Sequence, residues 1–123
     1  MMYYEEQSRL IVLRLSSIAL GLVETINLKS RNNSDGDKKL ERIIKDLSEL
    51  KKDRYLDFAI QNFGITLEDI GFYQNIANNL KKRLENPYNV NEKLHIKYKY
   101  FKDILDTHSQ RKRMLEKNER NIF

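Results

Sequence analysis

The run Leu-Ile-Val-Leu-Arg-Leu-Ser-Ser-Ile-Ala-Leu-Gly-Leu-Val, residues 10–23, is the stretch that decides the fold of this 123-residue chain. At about 100° per residue, the apolar side chains from Ile11 to Ile26 cover roughly 220° of a helix surface, about twice the usual stripe. One neighbouring helix cannot cover so wide a surface. We therefore expect helix 1, from about Met2 to Lys29, to be central in the fold or to share its apolar surface with a partner chain.

The same run is too short and too polar to favour a membrane span. It contains Arg14, Ser16 and Ser17, whereas a spanning helix needs about 20 consecutive apolar residues. The chain opens with Glu5 and Glu6 where a secretory signal would be basic, and it contains no cysteine. These features predict an intracellular, cytoplasmic protein with a buried helix 1 and no membrane partner.

Turn residues divide the rest of the chain into further helices. A polar cluster at residues 30–37 separates helix 1 from helix 2, whose apolar residues from Leu40 to Leu50 recur at steps of three and four. Helix 2 could continue to Phe63, and the pattern leaves open whether it kinks near Lys52. Gly64 is typical of a helix end.

On helix 1, the small residues Ser17, Gly21 and Thr25 form a narrow shelf that suits close packing of another helix.

Two more helices follow. Thr66 and Asp69 have the spacing of a capping box that opens helix 3. Asn86 and Pro87 end that helix, and helix 4 is expected from about Val90 to Asn118, with residues 116–123 forming a frayed tail.

One segment of helix 4 is ambiguous. Residues 94–101 alternate between apolar or aromatic side chains and basic ones, which is a strand-like period of two. The same residues place Leu94, Tyr98, Phe101 and Leu105 on one helical face, and no other part of the chain alternates in a way that could pair with a strand. A helix is the favoured interpretation. The sequence thus predicts an all-α fold, a single domain of residues 1–123 forming an antiparallel four-helix bundle with short loops and helix 1 central.

The excess charge is confined to one end of the chain. Residues 1–80 contain 11 Lys/Arg and 12 Asp/Glu, whereas residues 81–123 contain 12 Lys/Arg and 6 Asp/Glu. A one-ended basic field attracts anionic partners. The residues expected to bind a partner are Lys81, Lys82, Arg83, Lys93, Lys97, Lys99, Tyr100, Lys102, Arg111, Lys112 and Arg113.

Nucleic-acid binding is an alternative that the same segment allows. Cations can contact phosphates, and Tyr100 is the aromatic residue left free to stack on a base. A weak helix-turn-helix pattern also surrounds Gly64, but its second helix opens with Glu68 and Asp69, which repel phosphate.

Motifs for catalysis or cofactor binding are not found. The two histidines, His95 and His108, differ by about 220° on one helix and cannot share a metal ion. The chain has no Gly-rich phosphate loop, no zinc-protease motif and no cysteine nucleophile. We therefore expect neither an enzyme nor a cofactor or metal.

These features predict a small, non-catalytic binding or regulatory protein that docks on a larger assembly through its basic carboxyl-terminal third. The target would be an acidic protein surface or a nucleoprotein. The alternatives are a nucleic-acid-binding protein and a structural or self-associating subunit, a homo-oligomer that uses the excess apolar surface of helix 1.

Overall fold

The computed structural model describes residues 2–82 and 87–122, and it describes side chains for residues 4–82 and 90–110. The fold is all-α, with five helices and no strand in these ranges. The helices are α1 (Met2–Ser30), α2 (Asp35–Lys51), α3 (Leu56–Phe63), α4 (Leu67–Lys82) and α5 (Pro87–Ile122).

The expected four-helix bundle is not confirmed, because the described residues form five helices, with predicted helix 2 divided into α2 and α3. At the break, the Tyr55 amide donates to Oδ1 of Asp53 at 2.8 Å, and the Leu56 amide donates to the Asp53 carbonyl at 3.2 Å. Arg14 of α1 lies 3.9 Å from the same carboxylate. Asp53 therefore satisfies the backbone groups that a continuous helix would bond internally.

α1 is the central helix, as its wide apolar surface predicted. It packs against each of the other four helices, and its side of the core includes Ile11, Leu15, Leu22 and Ile26. Tyr73 of α4 is also fully buried against it and donates its hydroxyl to the Leu15 carbonyl at 3.0 Å. A helix in contact with four neighbours buries an apolar surface that one partner could not cover.

The small-residue shelf of α1 receives α2. A Cβ added to Gly21 would lie 3.3 Å from Cδ1 of Ile43, so the absence of a side chain lets α2 approach closely. The Lys39 ammonium pairs with Glu24 at 2.8 Å. Because contacts later in α1 meet residues earlier in α2, the two helices run antiparallel.

The ambiguous segment 94–101 is helical and lies within α5, with Leu94 and Phe101 fully buried. α5 begins at Pro87, earlier than the expected Val90, because proline is well tolerated in the first turn of a helix. The backbone of α5 is helical to Ile122, so residues 116–122, which were expected to form a frayed tail, lie within this helix.

The turn between α3 and α4 follows the predicted chemistry. Gly64 adopts φ 71°, the left-handed conformation that ends many helices. The Thr66 amide donates to Oδ2 of Asp69 at 2.9 Å, and the Asp69 amide lies 3.4 Å from Oγ1 of Thr66. These reciprocal bonds are the capping box that the sequence predicted, and they open α4.

By length and composition alone, α1 could also cross a membrane. Half of its apolar window is buried inside the fold. The core helix of a soluble protein has the same length and composition, so this property by itself is weak support for a membrane location.

Candidate docking surface

The ion pair between Lys97 and Asp69 joins the predicted basic segment to the start of α4. The Lys97 ammonium lies 2.6 Å from Oδ1 of Asp69, whose side chain is 6% exposed. The ammonium also lies 5.7 Å from the ring centres of Phe72 and Tyr100. Lys97, which the sequence predicted to bind a partner, therefore neutralises a buried carboxylate within the fold.

Tyr100 is held in place by the α3–α4 turn. Its hydroxyl donates to the Gly64 carbonyl at 3.2 Å, and its ring meets Phe101 edge-on at 5.2 Å. Lys97 lies beside the ring, yet 43% of Tyr100 remains exposed. The side chain is thus a half-exposed aromatic group anchored to the α3–α4 turn.

The other lysines of α5 with described side chains are Lys93, Lys99 and Lys102, and all three are exposed. Acidic residues lie near them on the same outward face of the helix. At about 100° per residue, the acidic residues Glu92, Asp103 and Asp106 lie within about 40° of Lys99 around the helix. All three are exposed. Lys102 lies about 60° from Lys99, and its ammonium lies 5.7 Å from the Tyr98 ring. The outward face of α5 is therefore mixed in sign.

The remaining predicted binding residues are less fully described. Lys81 and Lys82 are exposed in the last turn of α4. Arg83 lies outside the described residues. Arg111, Lys112 and Arg113 lie on the helical backbone of α5, and their side chains are outside the described part.

Two apolar residues that the sequence did not single out are strongly exposed, and one of them, Ile96, lies beside basic residues. Ile96 of α5 is 62% exposed and Leu67, the first residue of α4, is 59% exposed. Ile96 is one helical turn from Lys93, Lys99 and Tyr100. Leu67 lies about 200° around α4 from Asp69, the residue that pairs with Lys97 of α5. We call Lys93, Ile96, Lys99 and Tyr100 the docking surface.

A signal for Ile96 was present in the sequence. As a helix, residues 94–101 place Ile96 about 200° from Leu94, away from the buried face. Exposure of Ile96 follows from the helical interpretation, whereas a strand would have placed both residues on the same side. The exposure of Leu67 could not be predicted in this way, because a residue in the first turn of a helix can face either the core or the solvent.

Ion pairing differs between the two parts of the chain. Five ion pairs connect described side chains, and four of them lie entirely within residues 1–80; these are Arg9–Glu6, Arg14–Asp53, Lys29–Asp37 and Lys39–Glu24. The fifth is Lys97–Asp69. Among the described residues, the exposed lysines 81, 82, 93, 99 and 102 have no ion pair. Most of the described ion pairs therefore lie in residues 1–80, where acidic and basic residues are nearly equal in number, whereas basic residues outnumber acidic ones after residue 80.

The histidines lie apart, as their spacing predicted. His95 is exposed, whereas the His108 ring packs 4.8 Å from Phe63 at the end of α3. No cluster of three His, Cys, Asp or Glu residues suited to a metal ion occurs among the described residues.

No protein-family model matches the chain, and neither a curated protein nor a solved structure matches it.

Proposed function

We propose that the protein is a non-catalytic binding protein that docks on an acidic protein surface through the docking surface on α5. The observation that carries the proposal is the environment of Ile96. This side chain is the most exposed large apolar group among the described residues, and two lysines without described ion pairs lie one turn away from it. An apolar centre with a charged rim is the usual anatomy of a protein interface.

A protein partner accounts for this surface better than a nucleic acid does. The aliphatic Ile96 cannot stack on a base, whereas it can pack against apolar side chains at the centre of a protein interface. The first turn of α4 is acidic, with Glu68 and Asp69. Direct DNA readout by α4 is therefore disfavoured, and nucleic-acid binding becomes an outcome for the experiment to test.

The experiment compares matched variants in capture from nuclease-treated lysate. One charge variant carries Lys93→Glu and Lys99→Glu, and its control carries Lys38→Glu and Lys45→Glu, which change two exposed lysines of α2 by the same total charge. Ile96→Asp tests the apolar centre. Lys97 is left unchanged because a glutamate there would face Asp69 and disturb the fold.

The proposal expects one set of proteins to co-purify with the wild type and with the α2 control, and to be lost from both docking-surface variants. Circular dichroism should show the same helical content for all four chains. Identical capture by all of them would refute the proposal. Binding of an oligonucleotide that weakens by orders of magnitude between about 50 and 200 mM salt would instead support the nucleic-acid alternative.

Self-association is the second candidate function, and a specific observation favours it. Leu10, Leu13 and Leu20 of α1 are 37%, 41% and 42% exposed, so the wide apolar surface of α1 is not wholly covered by its own chain. A homo-oligomer would bury these residues. Sedimentation should then give a mass that rises with concentration, and Leu13→Lys with Leu20→Lys should give a folded monomer. A wild-type chain that stays monomeric throughout rules this function out.

A further inference from the structure

A small pocket opens between the end of α3 and the face of α5 that carries Tyr100. It has a volume of about 300 Å³. Its apolar walls are Phe63, Ile104 and the rings of Tyr100 and His108. The contact between Phe63 and His108, with ring centres 4.8 Å apart, and the bond from Tyr100 to the Gly64 carbonyl hold three of these walls in place. The pocket is thus a preformed feature of the α3–α5 contact.

The polar groups at its rim are mainly hydrogen-bond acceptors. Asn62 donates its Nδ2 to the Phe58 carbonyl at 2.8 Å, which leaves Oδ1 as the free acceptor of that amide. Asp103 contributes a carboxylate, and Thr107 a hydroxyl group. Lys99 lies one turn before Asp103, but no ion pair joins them. An exposed pair at this spacing is worth only about 0.3–0.5 kcal/mol, so Lys99 competes weakly for the carboxylate.

We propose that this pocket binds the cationic end of a lysine or arginine side chain of the protein that docks here. Aromatic faces are electron-rich and attract ammonium or guanidinium groups, and the carboxylate and amide oxygens accept their hydrogen bonds. No lysine or arginine side chain lines the pocket, whereas the carboxylate of Asp103 does. A volume near 300 Å³ lies at the small end of ligand sites and suits a charged head group with its aliphatic stem.

The pocket shares Tyr100 with the docking surface, so its use in the cell rests on the proposed function. Asn62, Asp103 and Thr107 are all exposed, which makes the pocket open to a side chain projecting from a docked protein. The docking surface would then present its own lysines to acidic groups of the partner while Asp103 receives a cation in return. Such reciprocal charges favour one orientation of docking over others.

The pocket chemistry can be tested without the partner, by titrating the full chain with n-butylammonium, its neutral isostere n-butanol, and butyrate. Binding is followed by NMR through the ring signals of Phe63, Tyr100 and His108. Asp103→Asn removes the carboxylate charge. Asp106→Asn is the matched control, because Asp106 is exposed on the same helix but does not line the pocket.

We expect n-butylammonium to shift the three rings together with an affinity that is about five- to tenfold weaker in Asp103→Asn and unchanged in Asp106→Asn. Three results would each overturn the proposal: no shift of these rings, equal binding of n-butanol or butyrate, or an Asp103→Asn affinity equal to wild type. Because no partner is present, these results are distinct from a failure of docking itself.

Discussion

The ammonium of Lys97 lies 2.6 Å from Oδ1 of Asp69, while Oδ2 of the same carboxylate accepts the Thr66 amide at 2.9 Å. Asp69 is only 5% exposed. A single buried carboxylate therefore caps α4 and binds α5 to it. A buried charge without a partner is costly. The pair therefore stabilises the contact between the start of α4 and the middle of α5.

The first prediction follows from that pair. Lys97→Ala should lower the free energy of unfolding by about 1–3 kcal/mol, because Asp69 keeps its charge but loses its strongest partner. Lys99→Ala, two residues away and without an ion pair among the described residues, should change it by less than about 0.5 kcal/mol. Urea denaturation measures both. Equal stabilities for the two variants would show that the pair contributes little.

The second prediction concerns Tyr73 and alkaline pH. Burial, and secondarily the negative charge of Asp69, raise the pKa of Tyr73 above its usual range. The phenol of Tyr73 ionises near pH 10 in the unfolded chain. Its ionisation therefore leaves the free energy of unfolding unchanged below about pH 10. Above that pH the free energy of unfolding falls by about 1.4 kcal/mol per pH unit, because the unfolded chain loses the proton while the folded chain keeps it.

Tyr73→Phe should remove this part of the alkaline loss. At neutral pH it should cost about 1 kcal/mol through the hydrogen bond to the Leu15 carbonyl. Urea denaturation at about pH 7 and above about pH 10 compares the slopes. Tyr100→Phe is the control, since Tyr100 is well exposed. The same alkaline slope in wild type and Tyr73→Phe would contradict the prediction.

The third prediction uses two glycines with opposite surroundings. A Cβ at Gly36 would lie 2.9 Å from Cγ of Lys29 and 3.2 Å from its backbone nitrogen, whereas one at Gly71 would meet nothing within 4 Å. Gly36→Ala should therefore destabilise the protein by about 1–3 kcal/mol through overpacking. Gly71→Ala, in the interior of α4, should stabilise it by up to about 1 kcal/mol. Thermal unfolding that moves in the same direction for both would count against this account of the α1–α2 contact.

The fourth prediction separates the two sides of α1. Ile18 is 6% exposed and belongs to the core, whereas Leu20 is 42% exposed. Ile18→Asp should unfold the chain, because it buries an unpaired charge. Leu20→Asp should retain the helical signal in circular dichroism. A folded Ile18→Asp protein would mean that this side of α1 is not the core.

The local elements were predictable because their causes are local. The three- and four-residue apolar steps predicted the helices, and the Thr66–Asp69 spacing predicted the cap that the two reciprocal hydrogen bonds form. The break at Asp53 was not predictable in the same way. It contains no glycine or proline, and it depends on hydrogen bonds of Asp53 together with Arg14, which comes from another helix.

The docking surface, too, was only partly predictable from the sequence. The sequence by itself determined that the chain is helical, that α1 needs several neighbours and that the excess positive charge lies after residue 80, since periodicity and composition are properties of the linear chain. Only the tertiary structure decided that Lys97 is paired, whereas Lys93 and Lys99 have no ion pair among the described residues, and that Tyr100 is anchored to Gly64. Lys97 and Asp69 are 28 residues apart, and which charges meet at that separation is set by how the helices pack.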